Sequence, residues 1–253
     1  LKLTFLGTRG YIDARTERHG MHASCLVSYK RTKVMLDRGE DWLGDDSWFG
    51  ANAVLVSHAH PDHSWGLKRG APVPVYASED SWEVMRTFKI EDRRLAPLRE
   101  PMEFKDMTFE AFKVEHSTRA PAVGYRVTAG QHSIFYAPDL VYIYDRAEAL
   151  GGIDAYVGDG ATVARPMVRK RDDRLIGHVP IRTELTWCQK EGVPLMIVTH
   201  CGAQVVAGDE PAVIARIEGF AEERGVRVIV AYDGMEMVLR GGQVLNLAAT
   251  FKT

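Results

Sequence analysis

The densest chemistry in the chain is the run His58-Ala59-His60-Pro61-Asp62-His63, which directly follows Val54-Leu55-Val56-Ser57. Histidines two apart can point from one extended turn toward one ion. Asp62 and His63 lie on the next bend, where they can serve a second ion. Imidazole together with carboxylate suits zinc, and also manganese or iron. A single histidine is ordinarily a satisfied core or surface residue. Three with an aspartate, packed this closely behind an apolar strand, read as a metal site.

Such a run needs a frame, and the flanking pattern supplies one. Short β-rich runs fall at Lys2 to Leu6, Ala23 to Tyr29, Lys33 to Asp37, Ala53 to Ser57 and Val73 to Ala77, separated by glycine and charged turns. A helix is expected near Glu79 to Phe88, because its Ser-Glu-Asp start places carboxylates at the positive end of the helix dipole. Strands return at Met102 to Glu115 with a turn near Lys105-Asp106, then at Val123 to Thr128, Ser133 to Ala137 and Ala155 to Val157. A helix from Pro180 to about Gly192 has proline in its first turn and Ile181, Leu185 and Cys188 at helical spacing. Leu195 to Thr199 reads as a buried strand, Glu210 to Arg224 as a helix, and Val226 to Ala231 and Met235 to Leu239 as closing strands. Strands followed by helix, twice over, imply an α/β chain of the αββα sandwich type, with helices covering two sheets.

The segment from His58 to His63 resembles the HxHxDH signature of the metallo-β-lactamase superfamily. That resemblance implies one such domain over residues 1–253 and three more ligands at strand ends. His116 follows Phe112-Lys113-Val114-Glu115, Asp139 follows Ile134-Phe135-Tyr136-Ala137-Pro138, and His200 follows Leu195-Met196-Ile197-Val198-Thr199. By the same resemblance His58, His60 and His116 hold one ion, Asp62, His63 and His200 the other, and Asp139 bridges them. Two divalent ions, zinc foremost, make a bound hydroxide nucleophilic near neutral pH.

Three further segments resemble the phosphodiesterase branch of that superfamily, which includes tRNA 3′-processing endonucleases and cyclic-phosphate phosphodiesterases. Phe5-Leu6-Gly7-Thr8-Arg9-Gly10 and Leu36-Asp37-Arg38-Gly39-Glu40 are similar to its FLGTG and DCGEG segments, although Arg9 breaks the glycine motif. Asp37 is expected to accept hydrogen bonds behind the ligand loop. Pro121-Ala122-Val123-Gly124-Tyr125-Arg126 is similar to its PAxGYR-like strand. Gly177-His178-Val179-Pro180 places a histidine at a helix entrance, where free N–H groups suit phosphate. The resemblance makes His178 either the proton donor to the leaving oxygen or a holder of the phosphate, with Asp159 orienting it and Asp62 the third catalytic residue. Asp159 stands where the nucleases usually carry glutamate.

The resulting expectation is a dinuclear hydrolase of a small-molecule or nucleotide-like phosphodiester, with extended nucleic acid less favoured. No long Gly/Pro-rich arm is visible, and the formal net charge of −2 supplies no broad positive field. The alternatives are a carbonyl hydrolase acting on a lactone, thioester or β-lactam, and a metal-binding sensor without turnover. Arg165, Arg169, Lys170, Arg171 and Arg174 read as a solvated loop. His22 and Trp65 are candidate pocket walls, His19 and His132 are expected to be exposed, and Cys201 is read as packing. Cys25, Cys188 and Cys201 form no close pair, which points to reduced thiols and a cytoplasmic setting. No apolar run approaches the ~20 residues that span a bilayer. A homodimer is compatible with the sequence.

Overall fold

The computed structural model describes residues 1–240 and the backbone of residues 243–247. Residues 241, 242 and 248–253, part of the expected domain range, lie outside the described residues. The first half of the chain forms β1 (Lys2–Gly7), β2 (Ser24–Tyr29), β3 (Thr32–Leu36), β4 (Ala53–Leu55), α1 (Pro61–Ser64), β5 (Val75–Ala77), α2 (Glu79–Val84), β6 (Arg93–Leu95), β7 (Met102–Phe104), β8 (Met107–Glu115) and β9 (Ala122–Ala129). Next come β10 (His132–Tyr136), β11 (Tyr142–Ile143), α3 (Arg146–Leu150), β12 (Ala155–Asp159), β13 (Met167–Arg171), β14 (Arg174–His178) and α4 (Ile181–Glu191). The chain continues through β15 (Leu195–Thr199), α5 (Ala203–Val206), α6 (Glu210–Glu222), β16 (Arg227–Val230), β17 (Glu236–Arg240) and β18 (Gln243–Leu247).

Two mixed sheets result. One has the order β18-β17-β1-β2-β3-β4-β5-β6, the other β11-β8-β9-β10-β12-β15-β16 with β7 paired to β8. The apolar runs explain the layering. On β10, Ile134 and Tyr136 face the layer between the sheets, while Phe135 packs with the outer helices. Leu195 and Ile197 of β15 likewise face inward, and Met196 and Val198 outward. On the first sheet, Val34 and Leu36 enter the central layer and Met35 the outer one. A strand buried on both faces must be apolar throughout, so these runs read as continuous and not alternating. Three buried layers between sheets and helices give the αββα sandwich. Fully burying one large aliphatic side chain contributes about 1.5–3 kcal/mol, so these layers dominate the cohesion of the site's frame.

Several sequence expectations change. The basic stretch is not a loop: Met167–Arg171 and Arg174–His178 pair as an antiparallel hairpin. The helix from Glu79 stops at Val84, and β6, α3 and α5 carry too few residues to show a period. His19 is buried, not exposed, with Nδ1 2.8 Å from Thr8 Oγ1. His132 is partly buried, its Nδ1 3.2 Å from Asp154 Oδ2. Among the described residues no helix is long and apolar enough to cross a membrane.

Candidate metal centre

The site lies at the carboxyl ends of the central parallel strands, where open α/β sheets offer a crevice. β4 pairs in parallel with β3 and β5, and β12 pairs in parallel with β10 and β15. The loop after β4 carries His58 and His60. His60 caps α1, Pro61 starts that helix, and Asp62 and His63 fall in its single turn. His116 follows β8, Asp139 follows β10, Asp159 ends β12, and His200 follows β15. His200 has φ +52° and Asp37 φ +61°. Each left-handed non-glycine residue costs on the order of 1–3 kcal/mol, which the surrounding packing must impose.

All seven sequence-expected ligands meet. Donor atoms of His58, His60, His116 and Asp139 lie within 4.8 Å of one another, as do those of Asp62, His63, Asp139 and His200. His60 Nδ1 is 3.0 Å from both His58 Nε2 and His116 Nε2. His200 Nε2 is 2.9 Å from Asp62 Oδ2, and His63 Nε2 is 3.4 Å from the same oxygen. Asp139 Oδ2 is 3.6 Å from His58 Nε2, 3.8 Å from His63 Nε2 and 3.7 Å from His200 Nε2. One carboxylate oxygen therefore touches both groups.

These separations fit ions. Tetrahedral ligands at ~2.0–2.1 Å from a metal stand about 3.3–3.4 Å apart. His63 Nε2 is buried without a hydrogen-bond partner, an arrangement that a metal would satisfy. Other ring nitrogens are held from behind. His63 Nδ1 donates to Asp37 Oδ2 at 2.9 Å, and the same oxygen accepts from Ser57 Oγ at 2.8 Å and Tyr136 OH at 3.1 Å. His116 Nδ1 lies 3.2 Å from Gly177 O.

The electrostatics suit cations. Burial, then the neighbouring His116 charge, holds His60 down at about 4, which keeps it a neutral donor. Burial works against the charged form of Asp139, yet His116, His178 and His200 hold it well below the usual carboxylate range. His178 is likewise opposed by burial but pushed up to about 12 by Asp139 and Asp159.

His178 Nδ1 is 2.9 Å from Asp159 Oδ2, and Asp159 Oδ1 is 3.3 Å from His200 Nδ1. Asp139, Asp159, His178 and His200 also form a third close group, but there His178 already gives Nδ1 to Asp159. Its Nε2 remains for the cavity. The sequence expectation of free helix N–H groups beside it needs correction. Ile181 N donates to Thr162 O at 3.0 Å and Arg182 N to Val163 O at 3.2 Å, so the start of α4 is occupied.

A cavity of about 700 Å³ opens over the donors, lined by Tyr11, Ile12, Arg165, Met167 and Gln204 among others. His22 and Trp65 do not line it. His22 is buried, stacked against Tyr11 at 5.9 Å and 2.8 Å from Asp41 Oδ2. Trp65 packs on the outer layer under Lys68. Arg9, which interrupts the glycine motif, is 1% exposed and bonds Asp41 at 2.5 Å. Sequence reasoning missed Glu184, fully buried beneath the site, which accepts Asp159 N at 3.0 Å and Tyr156 OH at 2.6 Å. Its signal is a carboxylate on the apolar face of α4, one turn from Ile181 and Cys188.

Residues 34–201, more than half of the chain, match the beta-lactamase superfamily domain. The chain belongs to that superfamily. Its members are mostly metal-dependent hydrolases, and the fold normally binds divalent metals. The exodeoxyribonuclease YycJ of Bacillus anthracis is 27% identical over 139 residues, 52% of this chain and 50% of that protein. The chain thus spans about half the length of that relative. The metallo-β-lactamase fold protein YhfI from Bacillus subtilis superposes with TM-score 0.72 at 16% identity, covering 93% of this chain and 98% of the other. A diphosphatase of the PhnP family superposes with TM-score 0.70 at 20% identity, covering 94% and 98%. At these identities both structures establish the fold alone.

Proposed function

We propose that this chain is a dinuclear metal-dependent phosphodiesterase acting on a small or nucleotide-like phosphodiester. The observation that carries the reading is His178. Its ring lines the donor cavity, is oriented by Asp159 at 2.9 Å, and keeps one nitrogen for a substrate oxygen. Carbonyl hydrolysis on the same donors has less need of such a group. The names of two relatives, an exodeoxyribonuclease and a diphosphatase, agree with phosphate chemistry.

In this reading His58, His60 and His116 would hold one ion and Asp62, His63 and His200 the other, with Asp139 common to both donor groups. When bound, the two ions supply a water ionised near neutral pH and positive charge for the attacked phosphorus. Asp62 would ligate beside His200, whose ring is held from behind where Nδ1 faces Asp159 Oδ1 at 3.3 Å. Protonated His178 donates its Nε2 proton to the departing oxygen, and the neutral imidazole that results keeps its Nδ1–H on Asp159. Tyr11, Ile12 and Met167 form the less polar walls of the cavity. Zinc suits the mixed nitrogen and oxygen donors best, with manganese or iron as substitutes.

The test loads purified protein with Zn²⁺ or Mn²⁺ and measures metal content. Turnover is then compared on an aryl phosphodiester, a lactone, a thioester and a β-lactam. About two ions per chain and dominant diester turnover are expected. One ion or fewer contradicts the bridged pair, and turnover confined to a carbonyl substrate moves the site to that class.

A further inference from the structure

Among the described strands, β13 and β14 alone belong to neither large sheet. Every residue from Arg165 to Leu175 is exposed. An isolated two-stranded hairpin is marginal in water, so its footing matters. That footing is the active site. Gly177 N donates to His116 O at 3.0 Å, Val179 N donates to Leu140 O at 2.8 Å, and the final residue of β14 is His178.

The register sorts the hairpin's side chains by face. Met167 opposes His178, Arg169 opposes Ile176, and Arg171 opposes Arg174. Directly opposed residues share a face, as do residues two apart on a strand. Met167, Arg169, Arg171 and Arg174 therefore stand on the face of His178. Met167, His178 and Arg165 line the catalytic cavity. Lys170 is on the other face and pairs with Asp173 at 2.7 Å. Arg171 has Asp172 at 3.6 Å, whereas Arg165, Arg169 and Arg174 have no carboxylate within 4.0 Å among the described residues. Two strand residues advance ~6.6–6.8 Å, so Arg169 and then the opposed pair Arg171 and Arg174 lie successively farther from Met167 and the cavity. Like charges so placed repel unless an anion lies among them. With a net charge of −2 for the whole chain, this row is a local feature and not a share of general positive charge.

We propose that this face is a track for the phosphate backbone of single-stranded nucleic acid whose scissile end lies beneath His178. The inference rests on the phosphodiesterase reading and narrows its substrate to the end of an oligonucleotide. The same cavity supplies a place for a base. Tyr11 is 64% exposed, lines the cavity and is backed by the His22 ring. Stacking there requires an unpaired base and tolerates any base identity.

The experiment compares wild type, the triple variant Arg169→Ala/Arg171→Ala/Arg174→Ala and the control Lys170→Ala, all metal-loaded. Binding of a fluorescein-labelled single-stranded phosphorothioate oligonucleotide is followed by anisotropy against salt. Hydrolysis of a nitrophenyl phosphodiester is measured in parallel. The triple variant should bind at least about tenfold more weakly, with the log K against log salt slope shallower by about 2, because three phosphate contacts at ~0.7 each are lost. Nitrophenyl turnover and the control should stay near wild type. Unchanged oligonucleotide binding overturns the track, as does an equal loss in Lys170→Ala. A parallel loss of nitrophenyl turnover also overturns it, since the hairpin would then only prop His178. Loss of phosphatidylserine-vesicle binding with oligonucleotide binding intact would overturn it in favour of a membrane surface. Absence of diester turnover in the wild type sinks the phosphodiesterase reading; intact turnover with unaltered oligonucleotide binding sinks the track alone.

Discussion

Asp139 Oδ2 is the atom on which the two donor groups converge, within 3.6–3.8 Å of nitrogens from both. Among the described residues Asp62 pairs with His63 and His200, both of one donor group. Asp139→Ala should therefore weaken both ions, whereas Asp62→Ala should weaken mainly one. Metal titrations that show the same single-ion loss in both variants would refute the bridging role. Asp159 makes a different prediction. It helps hold the His178 pKa up, near 12 with Asp139, and a proton donor is active below its pKa and lost as pH rises through it. Asp159→Asn removes one of the two charges that raise it. The alkaline limb of hydrolysis for a poor leaving group should then move to lower pH, read from kcat/KM profiles; an unmoved limb would separate His178 from that limb. The residues legible from spacing were those compressed into 58–63, while His116, Asp139 and His200 were legible only through the family resemblance, because single residues at strand ends carry no pattern of their own. Glu184 and Tyr136 were legible in neither way, because each reaches Asp159 or Asp37 through packing between distant elements.

Strands buried on both faces were the legible elements, since Val54-Leu55-Val56 and Leu195 to Val198 have no alternative to a core. The hairpin escaped notice because its charged, fully exposed strands show no burial period, and its pairing is only a local register. Its base depends on Gly177, with φ +119° and no room for a side chain: an added Cβ would lie 1.8 Å from Met167 O. Gly177→Ala should destabilise the protein by about 1–3 kcal/mol through backbone strain alone. It should also shift His116 and His178 together, because Gly177 bonds the first and precedes the second. Denaturant melts and metal titration check this. Full stability with unaltered metal affinity would show that the hairpin is not coupled to the site.

At the scale of the whole molecule, the layered frame brings donors from residue 58 to residue 200 to one crevice edge, and sets His178 beside them, its ring stacked on His200 at 5.7 Å. The layer order was readable from element order, while the cavity's walls were not, because Tyr11, Met167 and Gln204 come from a loop, a hairpin and the single-turn helix α5, none of which carries a motif. The central claim is that this frame positions His178 as proton donor to a phosphodiester leaving group. The direct measurement is kcat/KM of wild type and His178→Ala on one alkyl and one nitrophenyl phosphodiester, with metal content determined on the same samples. With metals retained, the alkyl diester should slow by about 10² to 10⁴-fold and the nitrophenyl diester much less, because nitrophenolate departs without a proton. Equal rates for variant and wild type on both substrates, with metals intact, would contradict the account.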